Sequence, residues 1–209
     1  MPRARSLTLP ALTEAALRVV DRDSLAGLSM RSVADELGIG TMSLYRYVEG
    51  REQLEGLLVE HVTCAIDLDV PARLQWDKRI VTLLQRLRDA LAEHPALIPL
   101  LVSRRHIERS SLRLAEALLE ALTEAGFSGK RRVFALRALL SYTVGALQFQ
   151  TLGPLSGGGT DAMAQLPQDQ YPLLAETARA ARKVTPQEEF QRGLELLLRG
   201  LRESAAQSG

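Results

Sequence analysis

The sequence predicts an all-α protein: a three-helix helix-turn-helix head followed by a larger helical domain. Two observations carry that reading. The stretch Leu28 to Arg51, LSMRSVADELGIGTMSLYRYVEGR, reads as two short helices joined by a tight glycine turn. Beyond it the chain stays helical, with apolar residues at three- and four-residue spacing and proline, serine, threonine or glycine where the stripes begin and end.

The first helix is entered through Pro10, tolerated in an opening turn, and carries the stripe Leu12, Ala16, Leu17 and Val20. Ser29 precedes the second, roughly residues 30 to 37, and can accept an N–H from its first turn, while Val33, Ala34 and Leu37 form its inner face. Gly38 stands where the chain must turn with positive φ, and Ile39 offers an apolar plug for the corner. Leu44 and Val48, four apart, mark the inward side of a third helix over Thr41 to Tyr47. Counting about 100° per residue from Leu44 points Met42 and Arg46 away from the core. Thr41 and Tyr45 then lie on one flank, Ser43 and Tyr47 on the other. Hydroxyls and a guanidinium can donate to phosphates or base edges, and an apolar tip can meet a thymine methyl, so this face suits a major groove. The alternative for the same residues is an ordinary helical hairpin with a polar outer face.

The remaining elements follow from their punctuation. A connecting helix runs over about 52 to 67 and a long amphipathic one over 74 to 93. A short helix over 95 to 103 is opened by Pro95, and another, over 108 to 125, is closed by Gly126. Ser128 precedes an apolar helix over 129 to 151, and the stretch GPLSGGGTDA has the composition of a flexible loop. A helix over 170 to 182 leads to Thr185-Pro186-Gln187-Glu188, the pattern of a capping box, which opens a last helix to Ser204. The helices near 129–151 and 186–204 are apolar on more than one face: Leu136, Leu139, Leu140, Val144 and Leu147 on one, Phe190, Leu194, Leu197 and Leu201 on the other. Such helices must bury a second face, which a four-helix homodimer interface would do. A deeply internal helix of a monomer is the other solution.

Composition narrows the function classes. The 209 residues, 46% hydrophobic, suffice for a small head and one larger core. A net charge of +1 excludes a polycationic coat, so DNA affinity must come from local placement: Arg3 and Arg5 in an N-terminal arm, then Arg31, Arg46 and Arg51. The lone Cys64 cannot form an intrachain disulfide, and Glu14 and Arg18 interrupt the apolar run a signal peptide or membrane span requires. A cytoplasmic protein without membrane partner is expected. His61 and Cys64, three apart, make only half a metal site, and His61, His94 and His106 lack catalytic partners at telling spacing, so no metal, cofactor or enzymatic activity is expected.

The order AALRVVDRDSLAGLSMRSVADELGIGTMSLYRYVEGREQL, within about residues 9 to 62, resembles the head of the TetR family of bacterial transcriptional regulators. That resemblance implies residues 1–51 as the DNA-binding domain and 52–209 as the effector-binding and dimerisation domain. It implies further that Thr41, Met42 and Ser43 open the recognition helix, that Tyr45 and Tyr47 lie on its groove side, and that Arg31 and Arg51 reach groove or backbone. A base contact by Arg46 rests on its outward direction alone. A dimer of such heads reads a palindromic operator in double-stranded DNA. The C-terminal part is similar to the tetracycline-repressor branch, with His94-Pro95, Gly126-Phe127-Ser128 and the last helix as landmarks. Counting from those landmarks, Leu101 falls where that branch places a metal-holding histidine and Leu83 near its drug-gripping asparagine, which speaks against a magnesium–tetracycline ligand. The expected effector cavity is lined by Leu83, Leu87, Leu100, Leu101, Phe134 and Leu147, with Arg104, His106, Tyr142 and Gln148 as polar candidates, and suits a small apolar or amphipathic molecule. Two other classes fit a helical chain: an enzyme with the hairpin as decoration, and a small-molecule-binding protein without sequence-specific DNA binding.

Overall fold

The computed structural model describes residues 7–71 and 73–206; Arg3 and Arg5 lie outside them. Helices occupy most of this span and no strand occurs among the described residues. They divide into two compact units, the first comprising the chain up to Leu68 together with Asp89–Glu116, the second Asp69–Arg88 with the chain from Ala117 onward.

In the first unit, α1 (Leu9–Gly27) is capped by Thr8, whose hydroxyl accepts the Ala11 N–H at 3.3 Å, and buries Leu12, Ala16, Leu17 and Val20 as its stripe requires. It is kinked at Ser24, where φ is 62° and ψ −180°, a conformation essentially reserved for glycine. α2 (Met30–Leu37) opens on a reciprocal cap: Ser29 Oγ accepts the Ser32 N–H, and Ser32 Oγ accepts the Ser29 N–H. It closes at Gly38 with φ 66°, the Gly38 and Ile39 N–H groups donating back to the carbonyls of Asp35 and Ala34. α3 (Thr41–Leu44) follows after a three-residue link, Gly38 to Gly40, and α4 (Arg51–Cys64) after a turn. Leu44, Val48, Leu54 and Leu58 are buried, so the head closes on α4 as well as on α1 and α2. A 3-10 turn (Pro95–Leu97) and α6 (Ile98–Arg104) complete the unit by packing on α1 and α4.

Three polar contacts add to the apolar packing of this unit. Asp21 of α1 meets His94 Nδ1 at 3.0 Å at the start of the 3-10 turn. Glu60 of α4 accepts both the N–H and the hydroxyl of Ser110, in the first turn of α7 (Arg109–Glu124), at 3.1 and 2.7 Å. Thr63 shares a buried hydrogen bond with the same Ser110 hydroxyl.

In the second unit, α5 (Trp76–Ala92) supplies Ile80, Leu83, Leu84 and Leu87 to the interior, and α8 (Gly129–Leu152) packs on α11 (Pro186–Ala206). Gly126, with φ 84°, ends α7 and turns Phe127 inward against Trp76, the ring centroids 6.0 Å apart. Thr185 Oγ1 accepts the Glu188 N–H at the start of α11, the half of the expected capping box that is formed. The segment 153–162, expected as a loop, is one only to Gly157. α9 (Gly158–Ala164) starts inside it and forms a hairpin with α10 (Pro172–Ala181). Small buried residues, Thr160 and Ala164 against Ala175 and Ala178, allow the close approach, and Arg182 pairs with Asp161 at 2.8 Å. No described helix is long and apolar enough to cross a membrane.

Candidate nucleic-acid interface

The outward side of α2–α3 is set by what its inner side buries. Leu44 and Val48 are at most 2% exposed, which leaves Met42 at 77%, Tyr45 at 48%, and Ser43 and Arg46 exposed beside them. Thr41 and Tyr47 are half-buried at the flanks. The third helix is shorter than its sequence reading: regular geometry ends at Leu44, and Tyr45 to Tyr47 continue as a turn held by Tyr47 and Val48 N–H groups on the Leu44 carbonyl. The outward order of side chains survives, because the turn keeps a right-handed helical sense through Tyr45.

The arginines of the head differ sharply in what holds them. Arg31 projects with 88% of its side chain exposed and only a loose 3.9 Å approach to Asp35. Arg46 has no ion-pair partner among the described residues. Arg51 instead folds inward, donating from Nη2 to the Leu25 carbonyl at 3.0 Å and from Nε to Glu55 at 2.8 Å, so it ties the start of α4 to the kinked end of α1. Arg18 and Arg22 both donate to Glu36 at 2.8 Å, and Arg22 also to Asp23. Those donors hold the Glu36 carboxyl below the usual carboxylate range, and Asp23, then Glu36, raise Arg22 in turn. This cluster joins α1 to α2 and went unread in the sequence, since its partners are 14 and 18 residues apart.

The residues expected to line an effector cavity lie as follows. Leu83 and Leu87 of α5 are buried in the second unit, as is Leu147 of α8. Tyr142 of α8 donates to the Phe190 carbonyl at 2.8 Å and stacks on the Phe190 ring; burial and then Glu189 push its hydroxyl up, which keeps it a donor. Phe134, by contrast, is 69% exposed on α8, and Gln148 is exposed too. In the first unit Leu100 and Leu101 are buried and aliphatic, His106 is exposed, and Arg104 is held by Glu108 at 2.8 Å. That ion pair rests on Gly56 of α4, where a Cβ would stand 2.9 Å from Glu108 Oε1. Cys64 donates to the His61 carbonyl at the end of α4.

Comparison with known proteins gives this arrangement a family. Residues 70–205 match the family described as "Tetracyclin repressor-like, C-terminal domain". The chain is 32% identical, over 97% of its own length and 80% of the relative's, to the HTH-type transcriptional repressor DrrR1 of Streptomyces coeruleorubidus. It is 28% identical to the class D tetracycline repressor protein of Escherichia coli, covering 93% of this chain and 88% of that one. Among solved structures, a possible TetR family transcriptional regulator of Streptomyces coelicolor A3(2) superposes with a TM-score of 0.80 at 28% identity, over 93% of this chain and 98% of that one. With the helix-turn-helix geometry at one end and the family match over the rest, the chain belongs to the TetR family of DNA-binding transcriptional regulators.

Proposed function

We propose that this protein is a homodimeric repressor that binds a palindromic operator and leaves it when a small apolar or amphipathic effector binds. The observation that carries the DNA half is the exposure pattern of α3, in which Met42, Ser43, Tyr45 and Arg46 project while Leu44 and Val48 anchor. Thr41, Ser43 and Arg46 supply base and phosphate donors, Met42 the apolar tip, and Tyr45 and Tyr47 phosphate contacts at the edges, with Arg31 reaching from the start of α2. Arg51 acts one step back, orienting α4 through Leu25 and Glu55.

The dimer reading is supported by the outer faces of α8 and α11, where Phe134, Phe149, Leu152 and Leu196 are exposed beyond what a solvated helix carries. Two heads then meet half-sites about 34 Å apart, or a modest multiple of that. Release needs only that the effector prefer one arrangement of the heads; a coupling of about 1–3 kcal/mol lowers operator affinity roughly 5- to 150-fold. The aliphatic interior around Leu83, Leu87 and Leu147 is the candidate lining in the second unit.

Selection of random duplex DNA on the purified protein tests the reading, with sequencing of what is retained. An enriched palindrome supports it, and retention without sequence preference would overturn it. Leu196→Glu is expected to yield monomers in analytical ultracentrifugation and to weaken operator binding with them.

A further inference from the structure

We propose that the turn joining α6 to α7 is a second DNA-binding element, which takes backbone phosphates outside the segment read by α3; this rests on the operator-binding reading above. From Arg104 to Arg113 the chain carries four arginines against one glutamate. Glu108 is taken up by Arg104, leaving Arg105, Arg109 and Arg113 exposed and, among the described residues, without an ion pair; Arg105 also donates from Nη1 to the Val102 carbonyl of its own turn, a contact that leaves its charge unpaired. Arg109 and Arg113 are one helical turn apart on α7, so their side chains leave from one face, with Cβ atoms about 6 Å apart.

The position of the turn selects its partner. Arg104 shares an open recess with Glu49, Gly50, Arg51, Glu52 and Gln53, the residues that follow α3 directly, and its Nη1 lies 3.8 Å from Glu52 Oε1. The basic turn therefore begins beside the end of the recognition segment. Its base is fixed: the Arg104–Glu108 pair sits on Gly56, and Glu60 receives the first turn of α7. Among the described residues of the head, Arg18, Arg22 and Arg51 are engaged by Glu36, Asp23, Glu55 and a backbone carbonyl. Among the described residues, a face presenting Arg31 and Arg46 gains from the further guanidinium groups of a turn that starts beside it.

The test compares full-length wild type, a triple variant Arg105→Gln, Arg109→Gln, Arg113→Gln, and the corresponding triple lysine variant. Each is titrated against the duplex that wild type selects, at the length of the enriched site and again with ten base pairs added on either side, from 50 to 300 mM salt. Thermal melting establishes that all three proteins fold. Wild type is expected to gain from the flanks. The glutamine variant is expected to lose that gain, to bind the longer duplex at least about tenfold more weakly at low salt, and to show a log–log salt slope shallower by about 0.9 for each phosphate released. The lysine variant, which keeps the charge, is expected to retain most of the slope. A glutamine variant with unchanged slope and unchanged preference for the longer duplex overturns the inference and leaves the operator reading intact. Failure of wild type to select any sequence overturns both.

Discussion

Single residues decide the geometry of the head. Ser24 holds a backbone conformation that costs a non-glycine residue about 1–3 kcal/mol, and what the kink provides is a Leu25 carbonyl turned toward Arg51. Ser24→Gly is therefore expected to raise thermal stability, by about 1 kcal/mol in denaturant titration, without moving Arg51. Gly38 is the reverse case: it meets nothing where a Cβ would stand, but its φ of 66° makes Gly38→Ala destabilising by about 1 kcal/mol, read from the same titration. The sequence made Gly38 legible, because a glycine at the end of an apolar stripe has one common use. It concealed Ser24, a serine in a backbone conformation that its residue type does not announce. Glu36 adds a pH dependence with a definite sign. Its carboxyl is depressed in the folded protein by Arg18 and Arg22, so its contribution is present above the ordinary carboxylate range and is lost as pH falls through its lowered value. Melting temperatures from pH 6 down to pH 3 should fall less steeply for Glu36→Gln than for wild type.

At the level of elements, contact distance rather than hydrophobicity sorts the helices. Gly193 of α11 lies directly beneath the ring and hydroxyl of Tyr142 on α8. Gly193→Ala is thus expected to push α8 and α11 apart and to lower stability by about 1–3 kcal/mol in thermal melts, although alanine is the better helix former. The helical stripes, caps and glycine stops that sequence reveals are local, which is why α1, α2, α4 and α8 lie close to where periodicity places them. α9 escaped because three consecutive glycines, Gly157 to Gly159, mask a helix start that is stabilised by partners distant in sequence, the small residues of α10 packed against it and Arg182 paired with Asp161. The end of α3 escaped for a different reason. Residues 45 to 47 fit either a helix or a turn, and the Tyr47 N–H, bonding only three residues back to the Leu44 carbonyl, tightens the segment into a turn. The outward face of the candidate site was legible from angle counting on Leu44, whereas the inward fold of Arg51 depends on a carbonyl 26 residues away.

For the whole molecule, the end of the helix-turn-helix motif is not the end of the unit that holds it. α4, the 3-10 turn and α6 share that unit's interior, and Asp21 and Glu60 find their partners at His94 and Ser110. A fragment ending at residue 68 lacks those partners and the cover of Leu97 and Ile98, so its circular-dichroism melt is expected to be broad and shifted down relative to the full chain. The arginine cluster around Glu36 also has a consequence for how such a protein travels. A chromosome offers on the order of a million or more wrong sites, and each free cation on a DNA-facing surface lengthens the stay at every one of them. With Arg18, Arg22 and Arg51 occupied by its own carboxylates and a carbonyl, the head is expected to offer fewer cations to unrelated sequence, and so to shorten each unproductive stop in the search for an operator.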